Sequence, residues 1–291
     1  YAMIYFPLGL AAAMAISPRL RRPGSIALIA ALGFPAVLVN FLHGQNGFLT
    51  AALLGGGLAL LNRKQALAGV LIGLLAYKPQ FGVLIPLALA AGGYWRAFGA
   101  AAATVIALAA FSTAIFGVEI WQAFFESRHY TKGTILEAGA TGWEKIQSVF
   151  SALRMWGAPV WLAYAAQAGA ALALGACVIA VWRSGVDFGL KAATLMVASL
   201  LATPYSLDYD LMALGPAIAF FAAYGLREGF HPYEKSLLAL AWLCPIAARP
   251  AAELLMVPLG LAATTLFFLA IMRRAGIGLD VRRAAKPVAP A

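Results

Sequence analysis

Charge is scarce in this chain of 291 residues: Asp, Glu, Lys and Arg make up 11% of it, while hydrophobic residues reach 63%. An ordinary soluble domain has roughly 25% charged residues, so a soluble fold is excluded and an integral membrane protein remains. The period-two alternation that a transmembrane β-barrel needs is also missing. Cysteine occurs twice, as Cys177 and Cys244, each inside an apolar run, which argues against a disulfide framework and against a thiolate metal site. Basic residues outnumber acidic ones and the net charge is +10, but they are spread between apolar runs and not clustered. Membrane topology therefore accounts for them, and nucleic-acid binding does not. The chain starts at Tyr1 inside an apolar run, without a basic n-region, so no signal peptide is recognisable and the chain is expected to lack an N-terminal segment.

What is present is a succession of apolar runs along the whole length, the pattern of an all-α, polytopic transmembrane helical bundle. Eleven crossings are drawn, at 1–17, 25–42, 47–61, 66–77, 80–92, 97–117, 159–182, 189–203, 211–226, 236–248 and 253–272, all within one integral membrane domain, 1–291. The run 66–92 carries LLAYKPQFGV at its centre, and Lys78 there decides the topology. If the run is a hairpin turning at Lys78-Pro79, 15 of the 21 Lys and Arg fall on one side of the membrane, as expected of a cytoplasmic side. If it is a single helix, the bias vanishes and Lys78 is stranded in hydrocarbon. The hairpin is therefore expected, with Pro79 ending the first helix and Lys78 at an outer-face turn, clear of the hydrocarbon. The basic segment 273–291 then becomes a cytoplasmic tail. The long stretch 118–158 becomes an outer loop with interfacial amphipathic helices, one at 120–129 and a second within 142–156.

Polar side chains sort unequally between the two faces. Inner turns such as NRKQ and REGFHPYEK read as solvated basic loops, whereas the outer ones, HGQNG, YKPQ, TPYSLDYD and ARP, mix hydrogen-bonding groups of several kinds. Such variety suits a polyhydroxylated ligand. In HGQNG, Asn46 can be explained as the cap of the next helix, but His43 and Gln45 together cannot. In DYD one aspartate can cap the following helix; the other is surplus, available to bind hydroxyls or to orient Lys78 and Arg249. No metal site is expected.

The sequence GQNGFLTAALLGGGLALLNRKQALAGVLIGLLAYKPQFGVLIPLALAAGGYWRA, followed by TPYSLDYDL, resembles glycosyltransferase family 87, GT-C-type membrane enzymes that include polyprenyl-phosphate-mannose-dependent α-1,2-mannosyltransferases of bacteria. The resemblance implies an inverting hexosyltransferase of a bacterial inner membrane. It would move a sugar, mannose by this likeness, from a polyprenyl-phosphate carrier to a lipid or glycan acceptor hydroxyl at the outer, periplasmic face, without a cofactor. Lys78 and Arg249 are then the cations for the phosphate, with His43 a further donor, and Gln45, Asn46, Gln80, Tyr205 and Asp208 read sugar or phosphate oxygens. GT-C enzymes typically carry an acidic base in their first outer loop, which this chain is expected to lack together with its first helix: the sequence is expected to be a fragment, and the alternatives are that the base is lost or that Asp208 or Asp210 substitutes for it. The alternative, a transporter or flippase for a lipid-linked sugar, fits less well, because no charge remains mid-helix once the hairpin is placed and no repeated halves are evident.

Overall fold

The computed structural model describes residues 2–16 and 25–276, and in the first stretch side chains from residue 7 onward. Among them every regular element is helical. Two N-terminal segments, α1 (Ala2–Ile16) and the pair α2 (Ile26–Leu32) and α3 (Pro35–His43), precede α4 (Gly47–Leu60). Next come α5 (Gln65–Gly73), α6 (Ile85–Ala91) and α7 (Trp95–Phe116). The exposed α8 (Glu119–Tyr130) and a cap that contains α9 (Val149–Met155) lead to α10 (Val160–Arg183) and α11 (Phe188–Ala202). The chain closes with α12 (Leu214–Glu228), α13 (Glu234–Leu255) and α14 (Leu259–Ala275). Helical stretches thus coincide with each of the eleven expected runs. Five of the described helical stretches are long and apolar enough to cross a membrane, among them Trp95–Phe116 and Val160–Arg183, so the protein is a membrane helical bundle.

The turns gather into two groups. At one end Tyr94 Oη donates to Asn62 Oδ1 at 2.7 Å, and the Tyr94 ring meets Trp182 and Phe188 edge-on. Arg227 pairs with Asp187 there, and Arg274 with Glu234. The chain that leaves this end at residue 64 therefore returns to it at residue 92, so 65–91 doubles back and Lys78 is at its far tip. The hairpin is as expected. Its helix, however, loosens four residues earlier than Pro79 requires, with a 3₁₀ turn at Leu74–Tyr77 before Lys78 and another at Pro79–Gly82 after it.

The hairpin also stops short. At 1.5 Å per α residue and 2.0 Å per 3₁₀ residue, α4, α5 with its 3₁₀ turn, and α11 each rise about 21–22 Å, whereas α7 and α10 rise about 33–36 Å from the same end. The tip that carries Lys78 is thus recessed about 11–15 Å along the helix axes below the ends of the long helices. Lys78 accordingly sits at a turn enclosed by protein and not in open water; it is 8% exposed. Irregular backbone at that depth is stable only when protein covers it.

The cover is the 131–158 segment. Leu136, Ile146, Phe150 and Ala163 form a small core of their own, against which Tyr164 and Tyr205 pack. Ile146 bridges Leu207 in antiparallel fashion, and Gln147 N–H donates to Ser206 C=O at 2.6 Å. The second expected amphipathic helix is therefore not continuous: 142–156 breaks into a 3₁₀ turn at Trp143–Lys145, this bridge, and α9, because the bridge claims the backbone between them. The first expected helix is present as α8 with no buried residue, and a π-turn at Thr131–Glu137 joins it to the cap.

Small residues set the packing beside the tip. Gly69 and Gly73, one turn apart on α5, lie against Ala97 C=O, Ala101 C=O and Thr104 of α7, where a Cβ would come within 2.3–2.7 Å. This is the close backbone approach that a Gly-xxx-Gly face permits in membranes. A further correction concerns Ala248-Arg249-Pro250, expected to be a turn. It lies inside α13, which runs through Pro245 and Pro250 to a left-handed cap at Met256. Membrane helices tolerate proline where neighbouring groups take up the freed carbonyls. Of the expected basic tail, Arg273 and Arg274 end α14; the remainder, like Arg19, Arg21 and Arg22, lies outside the described residues.

Candidate functional site

Four segments distant in sequence converge beneath the cap. The 3₁₀ turn Asp208–Ala213 supplies two carboxylates, α3 ends at His43, the hairpin tip brings Lys78, and α13 brings Arg249. Lys78 is pushed out of helical geometry by Pro79, with φ −128° and ψ 71°, as the residue before a proline is expected to be. Its side chain runs into the protein, where Nζ donates to Asp210 Oδ1 at 2.5 Å and stands 4.8 Å from the Tyr209 ring and 5.7 Å from that of Phe81.

The two aspartates, equivalent in the sequence, part company here. Asp210 is buried and uses both oxygens, Oδ1 for Lys78 and Oδ2 for the Leu207 N–H at 3.0 Å. It is the capping aspartate and the counter-ion of the lysine at once. Among the described residues Asp208 accepts only from its neighbour, the Tyr209 N–H, at 2.8 Å, and faces His43 Nδ1 at 3.8 Å. Arg249 and Lys145 add their positive fields at Asp208. With Lys78, Arg249 and Lys145 against two carboxylates, the cluster carries an excess positive charge even with His43 neutral.

Of the other expected residues, Tyr205 lies within the field of Asp210 and packs under the cap. Asn46 does not cap α4: its side chain makes no capping bond, and its Oδ1 is buried without a partner in the described residues, while the Leu49 and Thr50 N–H groups donate to its carbonyl. Gln45 and Gln80 are half-buried in the same two turns, but neither side chain bonds to the cluster among the described residues.

Asn40 carries no local signal in the sequence. Fully buried in α3, it donates to Ala36 C=O and to Tyr209 C=O, each at 2.9 Å, and accepts from Gly47 N–H at 2.9 Å. One amide thus ties the end of α3, the start of α4 and the 208–210 turn, and so holds His43 opposite Asp208. Gly47 is required there, since a Cβ would be 2.3 Å from Asn40 Oδ1 and 2.6 Å from Tyr209 C=O. Tyr77, also unforeseen, shares a 2.7 Å hydrogen bond with Thr50 and borders Tyr209.

The family model for glycosyltransferase family 87 matches residues 2–204, more than two thirds of the chain. The chain belongs to glycosyltransferase family 87. Membership makes it a membrane glycosyltransferase, with the converging polar cluster as its candidate active site. The family 87 match includes His43, Lys78 and the turns around them and ends just before Tyr205, so Asp208, Asp210 and Arg249 join the site through the fold. No curated protein and no solved structure matches the chain.

Proposed function

We propose that this family 87 protein transfers a hexose, mannose by family likeness, from a polyprenyl-phosphate carrier to an acceptor hydroxyl at the outer face of a bacterial inner membrane, with inversion at the anomeric carbon. The acceptor oxygen attacks that carbon from the side opposite the phosphate. The C–O bond to phosphate breaks, its electron pair leaves on the polyprenyl phosphate, and the hydroxyl proton passes to Asp208. Asp208 suits the base because its bonding capacity is not exhausted, whereas Asp210 is committed on both oxygens. Lys78 has three N–H donors and gives one to Asp210, which leaves donors for a phosphate oxygen. Arg249 adds charge to stabilise the leaving group, an effect that is strong where water is excluded. His43 holds Asp208 in place and Tyr205 borders the sugar.

The observation that carries this reading is the pairing of a buried, oriented lysine with a second, uncommitted carboxylate in one recess beneath the cap. The test uses the purified protein in proteoliposomes. Radiolabelled mannose from polyprenyl-phosphate mannose should reach acceptor without any nucleotide, and the product should have the anomeric configuration opposite to the donor's. Transfer from a nucleotide sugar, or retention of configuration, would contradict the proposal.

A further inference from the structure

We infer that the end of the bundle that carries Arg227 and Arg274 binds one anionic phospholipid, its phosphate in a bay at the 229–236 turn and one acyl chain in the groove between α1, α2 and α12. The bay spans about 1160 Å³ beside Leu226 of α12, and His231, Tyr233, Lys235 and Ser236 line it. The groove measures about 970 Å³ and has the same Leu226 in its wall. Along α12 its lining extends from Gly215 to Leu226, about 17 Å at 1.5 Å per residue, close to one leaflet's half of a roughly 30 Å hydrocarbon core. Alanine or glycine supplies 10 of its 19 lining residues, which leaves a slot between the helices wide enough for a chain. Trp242, the polar side chain in its wall, spends its indole N–H on Ala30 C=O at 2.8 Å, so the slot offers a headgroup nothing to bond. A polar bay and an apolar slot that share a wall suit a molecule with one end of each kind. The pair shares no residue with the cluster around Lys78.

The bay is held in shape from below. Tyr233 takes φ 70°, a left-handed conformation unfavourable for a residue with a Cβ, and it thereby presents its phenol outward while the next residue, Glu234, is buried. Glu234 accepts Arg274 Nε at 2.6 Å and the His231 N–H at 2.8 Å, and Arg274 also donates to Gly229 C=O, so one arginine of α14 pins both ends of the turn. Phe230 lies over Gly225, where a Cβ would come within 2.3 Å of its ring. Charge then selects the ligand. Arg227 binds both Asp187 and Glu228, and Arg274 binds Glu234. Among the described residues no carboxylate pairs with Lys235, whose ammonium stands 5.5 Å from the centre of the Phe230 ring. His231 is the second basic side chain, half exposed, with Nδ1 3.9 Å from Glu234. A phosphate diester can therefore take Lys235 and the hydroxyls of Tyr233 and Ser236, whereas the ammonium of a zwitterionic headgroup meets carboxylates that arginines already hold.

The purified protein in detergent is titrated with dioleoyl phosphatidylglycerol, with dioleoyl phosphatidylcholine and with inorganic phosphate, and bound molecules are counted by native mass spectrometry. One phosphatidylglycerol per chain is expected, held about tenfold more tightly than phosphatidylcholine and not displaced by inorganic phosphate. His231→Gln combined with Lys235→Gln, both exposed, should remove that preference. Lys64→Gln, at the same end but outside the bay, should keep it, and Ala222→Leu, which fills the groove, should weaken phosphatidylglycerol binding. Equal affinity for the two lipids overturns the assignment, as does a preference that survives the paired substitution or is lost in Lys64→Gln. Unchanged binding in Ala222→Leu removes the chain from the groove and overturns it too. Displacement by inorganic phosphate would give the bay to the free anion and overturn the lipid.

Discussion

At one end of the bundle Arg227 and Asp187 pair with side chains 57% and 32% exposed; at the other, Lys78 and Asp210 pair at 10% and 0%. Both are single lysine- or arginine-to-aspartate contacts near 2.5 Å, yet their surroundings give them different work. The exposed pair joins two helix ends that an aromatic contact already holds, Phe188 of α11 lying edge-on to Phe220 of α12. Salt and water screen it. The buried pair sits where three helices stop short and the backbone is irregular, so the charges and the fold depend on each other.

Breaking that contrast should begin with Lys78. Lys78→Ala leaves Asp210 buried and unpaired, a loss of about 3–5 kcal/mol for a buried ion pair, and should abolish transfer. Adding Asp210→Asn to Lys78→Met should restore most of the thermal midpoint and none of the transfer; full recovery of both would reduce the lysine to a packing element. Next in size is Asn40→Ala, which strands the Gly47 N–H and the Tyr209 carbonyl at about 1–3 kcal/mol each and should lower kcat as well, since His43 and Asp208 lose register. Gly47→Ala overpacks the same joint and should cost about 1–3 kcal/mol of stability, read as a lower thermal midpoint in detergent. Smallest of all, Arg227→Ala at the opposite end should leave both midpoint and transfer at wild-type values; a large loss would erase the distinction between the two ends.

The helices, their order and the hairpin at Lys78 were legible because long apolar runs and a proline after a lysine are local signals. So was the gathering of His43, Lys78, Asp208 and Arg249 on one side, which follows from charge bias between loops. Depth was not legible: that the tip is recessed depends on α4, α5 and α11 being shorter than α7 and α10, and on the cap that makes this tolerable. The continuation of α13 through Pro250 was hidden because an Arg-Pro step reads locally as a boundary. Asn40 escaped notice because its partner carbonyl is 169 residues away, and nothing near it in the sequence marks a polar joint. Asp208 and Asp210 differ only in what surrounds them, which no spacing of two residues reveals.

In the proposed reaction Asp208, and not the lysine-bound Asp210, takes the acceptor proton in the recess. The direct measurement is kcat for Asp208→Asn in proteoliposomes with polyprenyl-phosphate mannose, beside its thermal midpoint. A fall of about 10²–10⁴-fold with the midpoint unchanged is predicted for loss of a general base. Wild-type turnover in that variant would contradict it.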